Sequence, residues 1–195
     1  MGDVIIGGAR VNGATPLPVT LSGSGAGGEA HIGQVGGTTA LVVVEKTRPN
    51  DTNAYAANDA INESASAGTN WTFAVGRIAT GSGLIVGAFV WTDDVTWTAR
   101  MELGLYSANP TAINDNAEAT RLYANVATYL GTIVFPALSK HTANSTANDA
   151  AVSGINLPFK CAAGSSIFGI LRTLDAVALP IALKKFSVGL GVVQD

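Results

Sequence analysis

Little in this chain is equipped for catalysis. Its 195 residues include one cysteine and two histidines. The lone Cys161 excludes an intrachain disulfide and a cysteine-built zinc site. Its setting, Leu-Pro-Phe-Lys-Cys-Ala-Ala, suits a small buried thiol, as expected for folding in a reducing cytoplasm. Charge is also scarce: 13% of residues are charged, against about a quarter in ordinary domains. A sparsely charged soluble protein is expected to hide surface against a partner. The formal net charge is -3, and Lys184-Lys185 is the only local basic pair. With no basic stripe to neutralise a phosphate backbone, no nucleic-acid partner is expected. No apolar run approaches the roughly 20 residues of a membrane span, so no membrane partner is expected either. Val4-Ile5-Ile6 is too short for the apolar region of a signal peptide.

Glycine, by contrast, is abundant and unevenly placed. Nearly half of the 23 glycines fall in the first 37 residues. The stretch Pro16-Leu-Pro-Val-Thr-Leu-Ser-Gly-Ser-Gly-Ala-Gly-Gly28 has few large side chains to offset the entropy of ordering its glycines. Its prolines favour an extended backbone around Leu17. Residues 1–39 are therefore predicted to be an extended N-terminal arm. Within it, Leu17, Val19 and Leu21 alternate with polar residues or proline, as in a short edge strand laid on another surface. His31, Ile32 and Val35 belong to a second such piece. These six residues are the candidate arm interface.

Residues 40–195 read as a β-domain. Leu41-Val-Val-Val44 is a dense β-branched run, followed by a turn at Arg48-Pro-Asn-Asp51. Trp71, Phe73 and Val75 alternate with smaller residues. Leu84 to Trp91 is apolar on both faces, the mark of a central strand. Met101, Leu103 and Leu105 share one face of the next strand. Further strands are predicted at Tyr129–Phe135, Ile155–Phe159, Ile167–Leu174 and Lys185–Val193, with a polar loop over 140–150. Residues 117–127 favour a helix by composition, although their neighbours suggest a β-meander. Seven to nine short strands with regular turns predict an all-β fold, a jelly-roll-like antiparallel β-sandwich.

No candidate site passes a chemical test. Gly23, Gly25 and Gly28 match a dinucleotide-binding spacing, but no strand precedes them and no helix follows to hold a pyrophosphate. His31 and His141 lie outside any nucleophile motif. Asp93, Asp94 and Asp115 lack the spacing of a calcium loop, and a turn-forming role is expected for the aspartate pair. No catalytic residue, cofactor or metal is predicted. Trp71 and Trp91 are expected in the core. Trp97, flanked by Thr96 and Thr98, is the candidate exposed anchor of the domain.

Several phrases resemble a family of small structural proteins of tailed bacteriophages. They are Pro-Leu-Pro-Val-Thr-Leu at 16–21, Gly-Glu-Ala-His-Ile-Gly-Gln-Val-Gly-Gly at 28–37 and Thr-Arg-Pro-Asn-Asp-Thr-Asn-Ala-Tyr-Ala-Ala-Asn-Asp-Ala at 47–60. Two more are Ala-Arg-Met-Glu-Leu-Gly-Leu-Tyr-Ser-Ala-Asn-Pro-Thr-Ala-Ile at 99–113 and Leu-Pro-Phe-Lys-Cys-Ala-Ala-Gly-Ser at 157–165. The resemblance implies a virion component on the capsid exterior, a cement or decoration protein. It further implies partners in the major capsid protein and in its own copies as a homotrimer. A tail, collar or fibre-base position, or a carbohydrate-binding module using Trp97, are the alternatives.

Overall fold

The computed structural model describes residues 4–6, 9–11 and 38–195. The chain divides into two units, Met1–Val35 and Gly36–Asp195. In the first, β1 (Val4–Ile6) pairs antiparallel with β2 (Ala9–Val11). The predicted arm strands around Leu17 and His31 lie outside the described residues.

The second unit holds eight strands. They are β3 (Thr38–Thr47), β4 (Trp71–Phe73), β5 (Ser82–Thr92), β6 (Met101–Tyr106), β7 (Tyr129–Phe135), β8 (Asn148–Lys160), β9 (Ile167–Thr173) and β10 (Lys185–Gln194). One sheet has the order β3-β10-β5-β8 and the other β4-β9-β6-β7. Every pairing is antiparallel. The pairs nest: β6 with β7, β5 with β8, β4 with β9 and β3 with β10. This is one long hairpin rolled into two facing sheets, a jelly roll. Among the described residues the one helical element is a 3-10 turn at Tyr123–Asn125.

Alternation builds the core. Phe186, Val188, Leu190 and Val192 of β10 point inward, toward Met101, Leu103 and Leu105 of β6 and Trp71 and Phe73 of β4. The opposite face of β6 is buried too. There Glu102 accepts from Arg172 at 3.0 and 2.8 Å and pairs with Arg121 of the 116–121 segment. In β5 the inward set is Ile85, then Ala88 and Val90. A bulge at Val86 changes the phase, because Ile85 and Gly87 each pair with β10 while Val86 is skipped.

Two tryptophans are placed contrary to expectation. Trp97 is 0% exposed. The buried Asp94 carboxylate accepts from the Thr96 backbone N–H at 2.9 Å and turns the chain over the end of the sandwich. Trp97 then packs edge-on against Tyr55 and Phe186, with ring centroids 5.2 and 4.9 Å away. Its threonine neighbours gave no sign of this. Trp91 lies inside an apolar strand yet is 51% exposed, because the bulge sends it to the outer face.

Two boundaries also differ. The helix-favouring stretch 117–127 is largely irregular, since its start is committed to backbone pairing. Ala60 N–H donates to Ala117, Asn116 N–H to Ala60 and Ala119 N–H to Asn58. Strand β8 begins at Asn148, so the expected loop 140–150 ends earlier and the strand is longer than 155–159.

The same end of the sandwich buries Arg48. Its Nε donates to the Tyr55 hydroxyl at 2.5 Å and its Nη1 to the Ile181 carbonyl at 2.9 Å. The Tyr55 hydroxyl donates to Asp115, 2.7 Å from each carboxylate oxygen. Burial, then the Asp115 charge, hold the Tyr55 phenol protonated far above its usual range.

The two misplaced tryptophans give a direct test. Trp97→Ala is expected to cost about 3–5 kcal/mol in urea unfolding, whereas Trp91→Ala should cost under about 1 kcal/mol. Equal costs would show that Trp97 is not a core residue.

Candidate functional site

The acidic candidates do not converge. Asp93 accepts from the Lys185 backbone N–H at 2.7 Å. Asp94 accepts from Thr96 and, at 2.9 Å, from Ile181. Asp115 is held by Tyr55 and by the Asn62 N–H at 2.7 Å. Each carboxylate thus organises backbone. Among the described residues no group of three or more His, Cys, Asp or Glu is placed to hold a metal. His141 is exposed and lies 2.9 Å from Asp149. Cys161 is buried, and burial pushes its thiol above the usual value. The arm candidates Leu17, Val19, Leu21, His31, Ile32 and Val35 lie outside the described residues. No helix among the described residues is long and apolar enough to cross a membrane.

The most distinctive surface is instead the outer face of the β3-β10-β5-β8 sheet. Leu41 and Val43 of β3 are 64% and 50% exposed, and Leu84 and Trp91 are exposed on β5, on the far side of β10. Phe89 meets Trp91 edge-on at 6.3 Å. Its ring also lies over Gly189, where an added Cβ would sit 2.2 Å from the ring. A side chain at Gly189 would lift that ring off the sheet. The face carries few charges. Glu45 and Lys185 neutralise each other at 2.8 Å near one end, and Lys160 stands at the end of β8.

Side-chain size varies from row to row across the sheet. Pairing aligns Val43, Gly189, Phe89 and Ala151 in one row, and Leu41, Gly191, Gly87 and Ser153 in the next. Large and small residues alternate in the first of these rows only, and a further row sets Val193 of β10 between Thr39 and Leu84, with Pro158 beyond.

A second apolar feature is the connection from β9 to β10. Its sequence, Asp175-Ala-Val-Ala-Leu-Pro-Ile-Ala-Leu183, shows Leu179 at 83% exposure, with Ile181 and Leu183 also exposed. The backbone of this loop is fixed. Val177 and Tyr55 exchange two hydrogen bonds at 2.9 and 3.0 Å, and Leu183 N–H donates to Pro49 at 3.2 Å. At its start Asp175 accepts from Arg100 through the backbone N–H, Nε and Nη2, at 2.9, 3.1 and 2.7 Å. Those bonds hold the Asp175 carboxyl down at about 2.

A third feature is a shallow cleft of about 280 Å³ between the 3-10 turn and the edge of the other sheet. Tyr106, Tyr123 and Tyr129 line it, and the Arg121 guanidinium sits 5.2 Å from the Tyr129 ring centre. Its walls are mainly aromatic and aliphatic, with no nucleophile and base in contact.

No protein-family model matches the chain, and no curated protein matches it.

The sheet face and the loop escaped the sequence reading for a reason. An apolar run such as Leu41–Val44 reads as doubly buried, and nothing local says that one of its faces lacks a cover. The available clue was the glycine pair 189 and 191 on the face of β10 opposite its core residues.

Trp91 should supply the red-edge, acrylamide-quenchable part of the protein's tryptophan emission. Trp91→Phe is expected to remove that part and leave a blue-shifted, poorly quenched spectrum from Trp71 and Trp97. A quenchable fraction that persists would contradict the exposed placement.

The Asp175 carboxyl has a pKa lowered from 3.8 to about 2. Its contribution to stability is therefore present above 3.8 and lost as pH falls toward 2. A carboxyl-detected NMR titration should find the low midpoint, and Arg100→Gln should raise it toward 3.8. A wild-type midpoint near 3.8 would exclude the Arg100 clamp.

Proposed function

We propose that this chain is a virion structural protein, a cement or decoration protein on the capsid exterior. Its jelly-roll domain makes symmetric contacts, and its arm, cut back to residues 1–35 because Thr38 and Thr39 belong to β3, lashes to the major capsid protein or to a sister subunit. The observation that carries this reading is the exposure of contiguous apolar surface at separate places on one small, weakly charged domain. Singly scattered apolar residues are normal on a monomer, but contiguous apolar patches mark contact surfaces. A protein that ties neighbours together needs more than one such surface. The fixed backbone of the 175–183 loop supports the same reading. An apolar protrusion ordered before contact loses little conformational entropy on binding.

The resemblance of the loop phrases to phage structural proteins supports a phage particle as the assembly. An extended arm reaches roughly 3.3 Å per residue and can add a strand to a neighbour's sheet edge. On a repetitive lattice, several weak contacts combine into avidity. A tail, collar or fibre-base position would draw on the same surfaces. The carbohydrate-binding reading depended on an exposed Trp97 and falls with its burial.

Gold-labelled antibody on intact particles should mark the whole shell. Label confined to the tail would replace the cement reading with the tail reading. Deleting residues 1–35 is expected to leave a folded domain that no longer stays on heads stripped of the protein. Undiminished retention would remove the arm from the account.

A further inference from the structure

We infer that β3 is a pairing edge, and that its partner is β3 of a second copy of this chain, joined antiparallel about a two-fold axis through Val42. The inference concerns the isolated protein in solution and does not rest on the virion reading.

The two sheets of the domain end in four strands: β3 and β8 in one, β4 and β7 in the other. A strand edge is a row of unpaired N–H and C=O groups, and proteins ordinarily blunt it with bends, bulges, prolines or brevity. Three of the four edges are blunted in this way. β8 turns at Gly154 and Asn156, with φ of +70° and +50°, and carries Pro158. β7 is bulged at Leu130 against β6 and stops before Pro136. β4 is three residues long. β3 has none of these devices. It pairs with β10 at ten successive positions without a shift in register. It contains no proline, and among the described residues no strand pairs with its other side.

One bond assigns the groups on that open side. Arg48 N–H donates to the Lys184 carbonyl at 2.9 Å, and the β3–β10 register sets these two residues opposite each other. Bonded and unbonded pairs alternate along an antiparallel ladder. Ala40, Val42, Val44 and Lys46 are thus bonded to β10. Thr39, Leu41, Val43 and Glu45 aim their N–H and C=O groups away from it. The side chains of this second set lie on the outer face, where Leu41 and Val43 are exposed. Ala40, Val42 and Val44 point inward and are only half-buried, at the margin of the core. β3 therefore lacks a neighbour for its backbone and for both of its faces.

Any extended chain satisfies the backbone; the side chains select a copy of β3. Residues 38–46 read Thr-Thr-Ala-Leu-Val-Val-Val-Glu-Lys, five apolar residues centred on Val42 between polar pairs. Antiparallel pairing about Val42 sets Leu41 beside Val43 on the outer face, twice. On the inner face it sets Val42 beside its own image and Ala40 beside Val44. Glu45 falls opposite Thr39 and Lys46 opposite Thr38, so no like charges meet. The neighbouring two-fold registers match less well. An axis through Val43 opposes Leu41 to Glu45, and one through Leu41 opposes Val43 to Thr39. In the Val42 register the four outward-bonding residues of each copy fall into bonded pairs, giving about eight main-chain hydrogen bonds. Two four-stranded sheets become one of eight through an isologous contact. The seam is one strand wide, which places it among small, reversible interfaces of under roughly 1,200 Å².

Sedimentation equilibrium of the full-length protein should show a reversible species of twice the 19.8 kDa chain mass. Val43→Pro should weaken it about tenfold or more, since it removes an outward N–H and puts the proline ring in the seam. Its thermal melt should hold, because the Val43 N–H is not bonded to β10. Disulfide trapping reads the register separately. Val42→Cys should cross-link to its own image on mild oxidation, because the Cα atoms of unbonded pairs lie about 4.5 Å apart, within disulfide reach. Ala40→Cys alone should not, because its two copies stand about 13 Å apart along the strands. Ala40→Cys combined with Val44→Cys should cross-link again. If Val43→Pro lowers the melt, the cysteine comparison decides alone. A monomer at every concentration reached, a dimer indifferent to a folded Val43→Pro, or equal trapping of Val42→Cys and Ala40→Cys would overturn the inference. So would a dimer sensitive to Val43→Pro that Val42→Cys does not trap, since a different segment would then occupy the edge.

Discussion

Arg48 is a full positive charge placed where solvent cannot reach it. A buried charge without partners costs several kcal/mol, so its neighbours have little freedom. The Tyr55 hydroxyl, the Asp115 carboxylate behind it and the Ile181 carbonyl must all arrive together. They come from three different connections between strands. The guanidinium also lies 4.7 Å from the Tyr55 ring centre and 6.0 Å from that of Trp97. One side chain thus fixes the long connections at one end of the sandwich to each other. The 175–183 loop inherits its rigidity from this arrangement, because Ile181 is bound by Arg48 through its carbonyl and by Asp94 through its N–H.

That rigidity separates two kinds of apolar exposure. The loop presents Leu179 and Leu183 on a backbone with no remaining need to fold. The sheet presents Leu41, Val43 and Trp91 on strands fixed by hydrogen bonds on the same rows. Neither surface needs reorganisation before contact, which lowers the entropic cost of association. Arg48, Asp94 and Asp115 turn their polar chemistry inward, where it holds the connections in place.

Much of the architecture was legible in the sequence because strand alternation survives without context. The shared inward face of Met101, Leu103 and Leu105 was read correctly from parity alone. The central position of β5 followed from its two-sided apolarity. What the sequence could not carry was the identity of the cover on each face. Trp97 has polar neighbours and is buried by residues far away in sequence, Tyr55 and Phe186. Trp91 has apolar neighbours and is exposed because no element of the domain lies over it. Arg48 reads as part of a turn, and only the arrival of Asp115 and Ile181 makes it a core residue. Residues 117–127 carry helical propensity that the pairing of Ala117 and Ala119 overrides.

The skipped residue in β5 has a wider meaning. With Val86 inserted, the strand changes parity partway along its length, so Ala88 and Val90 fill the interior while Phe89 and Trp91 look outward. Without it, the two aromatic rings would belong to the core and two small aliphatic residues to the surface. The aromatic character of this exterior thus depends on a single extra unit in the chain. One residue more or less in this strand thus decides whether aromatic rings or small aliphatic groups meet solvent.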